Sequence, residues 1–335
     1  MAFHEFYTVD EDRLRSVLSR NRYGKILVQL PEGLKHFFPE ILEIIRKYVK
    51  EGSEVHIDSS PTFGSCLMDL SLINNYDIVL HFGHAEYPYW KPPPKVKLID
   101  VFSRNTIPDE TLNSFINELK GRGVERIALY TTAQHPHLAR EVRERLAAEG
   151  FTVVNNPVKS IVFGCWFSDL PEIKNDVDAV AVVAGGKFHA IGLGLVTGGN
   201  IPVYGVDPYL GRCIDYSDEV YRTLKVRYGK IVKAMNAQNW LLVVGSAGQY
   251  RPAIVERVSS ELRGREKEIV KTVATYISQD LLLDMDNDWV EAIVITSCPR
   301  LALEDLSSFP KPVLTPGEAL ISVGALPFES YVFPW

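Results

Sequence analysis

Three cysteines carry the clearest chemical potential in this chain: Cys66 in Pro61-Thr-Phe-Gly-Ser-Cys66, Cys165 in Val162-Phe-Gly-Cys165, and Cys298 in Thr296-Ser-Cys298-Pro-Arg300. They stand too far apart along the chain for a local metal knuckle, so only a fold that gathers them makes a shared site. Taken singly, a cysteine near a strand end is a small buried hydrophobe as readily as a ligand. If three thiolates do meet, structural zinc fits poorly, because such zinc takes four protein ligands. Three thiolates suit a 4Fe-4S cluster with one iron left open for substrate. A fourth cysteine, Cys213 in Gly211-Arg-Cys-Ile214, has no strand-end counterpart and reads as structural.

The elements that must position these thiols follow from hydrophobic periodicity. Lys25–Leu30 reads as a strand closed by Pro31-Glu-Gly33, followed by a helix with Ile41, Ile44, Ile45 and Tyr48 on one face. Glu54–Asp58 alternates like a strand and leads to Cys66. Leu67–Asn75 reads as a short helix, Asp77–Phe82 as a third strand and Lys95–Val101 as a fourth, after a helical opening over residues 10–20. The order then recurs. Glu125–Tyr130, Phe151–Val154 with Ser160–Phe163, Asp178–Val183 and Ile201–Val206 form a second round, with a helix over 138–149. A helix carrying Val220, Leu224, Tyr228, Ile231 and Met235 leads into a third round of Trp240–Val244, Lys271–Tyr276, Val290–Ile295 and Lys311–Thr315.

Third strands start near Asp77, Asp178 and Val290, and fourth strands near Val96, Ile201 and Lys311, which predicts three copies of a unit of about a hundred residues. The expected fold class is α/β: three Rossmann-like repeats with parallel sheets, in a pseudo-threefold arrangement around a central cluster. The expected boundaries are 1–105 (holding Cys66), 106–212 (Cys165) and 213–335 (Cys298). In open parallel sheets ligands bind beyond the carboxyl ends of the strands, and each cysteine sits just past such an end. Cys66 and Cys165 follow second strands, whereas Cys298 follows a third, so the cysteines answer to a common centre rather than to the repeat.

Composition sets the outer bounds. The 335 residues are 46% hydrophobic, enough for a large core, and the net charge of −6 is spread over interleaved acids and bases with no phosphate-binding stripe. Nucleic acid is not an expected partner, and neither is a membrane, since no apolar run nears the roughly 18 residues of a span. The opening Met1–Asp10 lacks a secretory pattern, so a cytoplasmic location is expected, where cysteines bind metals or catalyse before they pair.

Several segments taken together resemble a known family. They are Leu30-Pro-Glu-Gly-Leu34, Asp58–Cys66, Phe163-Gly-Cys165, Gly185-Gly-Lys-Phe-His189 with Gly192-Leu, Gly248-Gln-Tyr-Arg251, and Ser297-Cys-Pro-Arg-Leu301 with Pro312–Pro316. In that order they resemble diphthamide synthases of the archaeal type, the 2-(3-amino-3-carboxypropyl)histidine synthases. The resemblance implies that Cys66, Cys165 and Cys298 hold a 4Fe-4S cluster. It implies a transferase that cleaves S-adenosylmethionine between sulfur and the methionine γ-carbon and adds the aminocarboxypropyl radical to C2 of a histidine of translation elongation factor 2. A homodimer served by an electron donor is implied as well. One departure stands out: the acid expected directly after the first ligand lies further on, at Asp69, so no role is carried to it.

The turns after the three first strands are the expected contacts for the substrate's amino-acid end: Glu32 and Gly33, Gln134 and His135, and Gln249. Glu32 or Gln249 would hold the ammonium, and Arg251 or Arg300 the carboxylate. Gly185 and Gly186 would let backbone approach the adenosine. His84, His135 and His189 are candidates to line the pocket or guide the acceptor imidazole, against a scaffold role. Gly192-Leu-Gly194 imitates part of a dinucleotide fingerprint but lacks its full spacing. No catalytic acid or base is assigned. The aromatic tail from Leu326 to Trp335 is expected to dock on the chain's own body. Three other readings remain: a quinolinate synthase-like enzyme, which also sets three cysteines around a 4Fe-4S cluster, a non-catalytic cluster-bearing subunit, and a ligand-binding protein with inert cysteines.

Overall fold

A computed structural model describes residues 2–335 as two compact units. The first comprises the described residues up to Asn105 together with Ser246–Gly248, and the second Thr106–Gly245 with Gln249–Trp335.

In the first unit, the short strands β1 (Tyr7–Val9) and β6 (Val101–Ser103) pair antiparallel as a two-stranded ribbon. Between them, β2 (Lys25–Gln29), β3 (Glu54–Asp58), β4 (Ile78–Phe82) and β5 (Val96–Ile99) form a parallel sheet in the order β3-β2-β4-β5. The interior strand β4 is buried at every position, as expected when helices cover both faces. The edge strand β3 keeps alternate residues exposed. The expected fourth strand thus stops at Ile99 and restarts as β6, which turns to meet β1; the ribbon was not anticipated. The helix expected over 67–75 is shorter, Leu70–Ile73, because Asp69 caps its start by accepting from the Ser71 and Leu72 amides.

The second unit carries two sheets. One contains β7 (Arg126–Thr131), β8 (Thr152–Val153), β9 (Ala179–Val183), β10 (Val203–Asp207) and β11 (Arg212–Asp215), in the order β11-β10-β9-β7-β8 with β11 antiparallel. The other contains β12 (Asn239–Gly245), β13 (Glu268–Ala274), β14 (Ala292–Ile295) and β15 (Val313–Leu314), all parallel, in the order β13-β12-β14-β15. Numbered within each round, all three sheets run 2-1-3-4. The repeat read from the offsets is therefore a repeat of topology, and each round reverses its winding between first and third strand, where open α/β sheets bind ligands.

Ser160–Phe163 does not extend as a strand; it touches the sheet through a single bridge of Ile161 to Thr131, and Phe163 bridges to Trp166 within its own loop. Strand β11 carries the second round to Asp215, just past the boundary expected at residue 212. The helix Ser217–Ala234 joins the rounds inside the second unit: Val220 and Leu224 pack in the core of the β7–β11 sheet, and Ile231 and Ala234 in that of the β12–β15 sheet. Its buried Arg227 forks onto Glu318, with Nε to Oε1 at 2.7 Å and Nη2 to Oε2, and also reaches the carbonyls of Ala302 and Val313. The Tyr331 hydroxyl donates to the same carboxylate at 2.6 Å, which fastens the tail. Phe333 packs on Phe167 and Phe328 on Tyr228, so the tail does dock on the chain's own body.

Candidate functional site

In the first unit the loop after β3 presents Cys66, and polar contacts hold it. Glu32, in the turn after β2, accepts from the Thr62 amide at 2.9 Å and from Lys35 Nζ at 2.8 Å. Lys35 also donates to the carbonyls of Ser59 and Ser60. Burial raises the Glu32 pKa, but these hydrogen bonds and the Lys35 charge outweigh it and leave the net shift downward. Ser65 Oγ donates to the Ala85 carbonyl at 2.7 Å, tying the Cys66 loop to the loop after β4. Gly248 belongs to this unit, and a Cβ there would lie 2.9 Å from both Cα and the carbonyl oxygen of Cys66. Only glycine lets the backbones approach so closely. Gly33, in contrast, faces open space.

Behind the Cys66 loop, four side chains form a hydrogen-bonded row across the strand ends. Asp58 accepts from Gln29 Nε2 at 3.0 Å, Gln29 Oε1 meets His81 Nδ1 at 3.0 Å, and His81 Nε2 meets His84 Nδ1 at 2.9 Å. A carboxylate only accepts, so Gln29 turns its amide NH2 to Asp58 and its carbonyl to His81. His81 then donates through Nδ1 and accepts through Nε2, which makes His84 Nδ1 a donor and His84 Nε2 a lone-pair acceptor. Burial pushes the His81 pKa well down and holds His84 at about 4, so both are neutral at pH 7. Composition and periodicity named His84 but missed this row. The available signal was polar Gln29 and His81 inside otherwise apolar strands.

In the second unit, Cys165 lies buried in a tight reversal where Phe163 and Trp166 exchange backbone hydrogen bonds. A side chain on Gly164 would collide with the Phe188 ring. Arg251 Nη2 stands 3.7 Å from Cys165 Sγ, and the Arg251 guanidinium stacks 3.7 Å above the ring centre of Trp335. Cys298 follows β14. Burial raises its pKa, while the Arg300 and Leu301 amides and the Arg300 charge pull the other way. Arg300 bonds Glu304 at 2.9 Å and lies over the Phe188 ring.

The other expected contacts are also tied into the fold by hydrogen bonds and packing. His135 Nδ1 meets Thr132 Oγ1 at 2.8 Å and its Nε2 meets Tyr209 Oη at 3.2 Å, with burial lowering its pKa to about 4. Gln134 precedes it in the same turn. Tyr209 packs so closely on Gly185 that a Cβ there would come within 2.8 Å of the ring. Gly186 takes φ +72° and donates its amide to Asp207 at 2.9 Å. Gln249 is buried beside Gly245 and Ser297. Gly192 and Gly194 are helix-packing positions against Phe167 and Val220, which accounts for the partial dinucleotide pattern.

The thiols differ in their surroundings. None of the four is in a disulfide; Cys165 and Cys298 each have an arginine beside them, whose charge pulls towards the thiolate that ligates metal, while burial leaves the Cys298 thiol raised on balance. Cys213 lies on β11, partly buried against the core, where burial and the carboxylates of Glu118 and Asp215 push its thiol far up, so it stays protonated. Two buried polar atoms without partners among the described residues border this region: Ser297 Oγ, next to Cys298, and His189 Nδ1, whose ring is held at about 4 by burial and the Arg300 charge. Cys66 lies in the first unit and Cys165, Cys213 and Cys298 in the second, and among the described residues no three His, Cys, Asp or Glu side chains are already gathered as a metal cage. The donor set of thiols with cationic and amide neighbours nonetheless fits an iron-sulfur group better than a hard cation.

The family model for diphthamide synthesis proteins matches residues 30–332. The chain belongs to the diphthamide synthesis protein family. It is similar to the 2-(3-amino-3-carboxypropyl)histidine synthase of Pyrococcus horikoshii, 29% identical over 98% of this chain and 93% of that protein. It is also similar to subunit 1 of the corresponding synthase of Mus musculus, 29% identical over 89% of this chain and 68% of that protein. Among solved structures it resembles Dph2 from Pyrococcus horikoshii with a 4Fe-4S cluster, with a TM-score of 0.80 and 27% identity over 97% of this chain and 94% of that one. No helix among the described residues is long and apolar enough to cross a membrane.

Proposed function

We propose that this protein is a 3-amino-3-carboxypropyl transferase that modifies a histidine of translation elongation factor 2, the first step of diphthamide formation. The observation that carries this reading is a cysteine outside any disulfide beyond the carboxyl edge of each of three sheets with one strand order, in a chain of this family. Cys66, Cys165 and Cys298 hold a 4Fe-4S cluster, one from each of the repeats 1–105, 106–212 and 213–335. When bound, such a cluster would supply the single electron for cleaving S-adenosylmethionine between sulfur and the γ-carbon.

The chain's own residues bind and orient. Arg251 and Arg300 offer cationic forks for the substrate carboxylate, Glu32 and Gln249 accept from its ammonium, and Gly33 and Gln134 contribute backbone at the turns. Gly185 and Gly186 border the adenosine, with His135 holding Tyr209 over them. The lone pair of His84 Nε2, its tautomer set by the row that ends at Asp58, accepts the N–H of the acceptor imidazole and so aims its C2. The chain works as a cytoplasmic homodimer served by an electron donor.

The test combines anaerobically reconstituted, reduced protein with S-adenosylmethionine and elongation factor 2. Mass spectrometry should find one histidine carrying the aminocarboxypropyl group. An unmodified factor, with cluster and substrate shown to be present, would overturn the reading.

A further inference from the structure

The segment after Glu329 is held by two anchors, the Tyr331 hydroxyl on Glu318 and the Phe333 ring on Phe167. Trp335 extends past both, and its indole spreads under the Arg251 guanidinium at 3.7 Å. Stacking at this distance restrains the guanidinium plane and strengthens as water is excluded. The indole Nε1 is buried and finds no hydrogen-bond partner among the described residues. A buried indole N–H normally finds an acceptor, because leaving it unbonded costs about 1–3 kcal/mol.

Arg251 also precedes the helix Pro252–Arg263, whose first amides lack partners within the helix, and its Nη2 lies beside Cys165 Sγ. A fixed guanidinium, an idle indole N–H and a helix start are all donors. The ligand group that matches them is a compact anion with two acceptor oxygens, a carboxylate. We propose that Trp335 and Arg251 form the subsite for the α-carboxylate of S-adenosylmethionine, the indole N–H donating to one oxygen and the guanidinium to the other. This rests on the function proposed above and adds Trp335 as a substrate-binding residue that holds Arg251 in place.

The experiment measures binding, without reductant, of S-adenosylmethionine and of its decarboxylated analogue to the anaerobically reconstituted holoprotein. Trp335→Phe keeps an aromatic face under Arg251 and removes only the N–H. It should weaken S-adenosylmethionine about tenfold, the scale of one hydrogen bond to a charged group, and leave the analogue unchanged. Arg251→Gln should weaken the carboxylate-bearing ligand further, again sparing the analogue. Iron content and circular dichroism equal to wild type show that each variant is folded and loaded; if Arg251→Gln loses iron, Trp335→Phe alone decides. Equal effects of Trp335→Phe on both ligands, or none on either, overturn the subsite while wild-type binding stands. A wild type that binds neither ligand overturns the functional reading, and the subsite with it.

Discussion

Four cysteines of one residue type divide by their neighbours. Cys165 and Cys298 have arginines beside them, whereas Cys213, packed against the core, faces Glu118 and Asp215. Electropositive surroundings favour the thiolate that ligates metal, and carboxylates disfavour it. Replacing Cys213 by Ala should therefore leave the iron content of the reconstituted protein at the wild-type level, while Cys165→Ala should abolish most of it. An iron assay with the visible absorption spectrum reads both, and iron lost only from the Cys213 variant would refute the assignment. The glycines divide in the same way. Gly248 is required by the Cys66 backbone and Gly185 by Tyr209, while Gly33 meets nothing. Glycine in a turn says that backbone is special only where a neighbour or a positive φ makes it so.

Among the elements, the helix Ser217–Ala234 has the largest structural task, because it contributes to two cores and carries Arg227. That guanidinium is satisfied by Glu318 and by the carbonyls of Ala302 and Val313. Substituting one partner of a buried ion pair strands the other charge and costs about 3–5 kcal/mol. Arg227→Met should lower the urea midpoint accordingly. Lys120→Ala, which removes the exposed pair with Glu149, should change stability by no more than about 1 kcal/mol. Equal effects would mean that the buried fork does not hold the helix. The turns after β2, β7 and β12 are equivalent in topology yet differ in use: Glu32 secures the Cys66 loop, His135 secures Tyr209, and Gln249 packs beside Ser297. A repeat conserves backbone geometry, and the side chains that stand on it are free to diverge in role.

For the whole molecule, the buried histidines set the response to acid. Burial depresses His81, and holds His84, His135 and His189 at about 4, against an ordinary value of 6.5. Their folded pKa values lie below the unfolded ones, so the unfolded chain binds more protons between these limits. Stability is then full above about pH 6.5 and falls as pH drops toward 4. The carboxylates held low by hydrogen bonds, Asp69, Asp77 and Asp178, add their losses only at lower pH. Urea midpoints at pH 7 and pH 5 should differ in that sense, and equal midpoints would contradict the neutral histidine assignments. Much of this architecture was legible in the chain itself. Apolar runs of strand length at recurring offsets specified three rounds of strand and helix, because burial on two faces demands such runs, and they put each cysteine past a strand end. The ribbon of β1 and β6 escaped notice because three-residue strands carry no period, and β11 because it pairs antiparallel outside the repeat. What periodicity could not encode is which side chains meet. The Asp58-to-His84 row depends on the register of β2 against β3 and β4, and the seat of Trp335 under Arg251 depends on how Tyr331 and Phe333 anchor the tail. Both arise from packing between residues far apart in the chain, a property that only the tertiary structure decides.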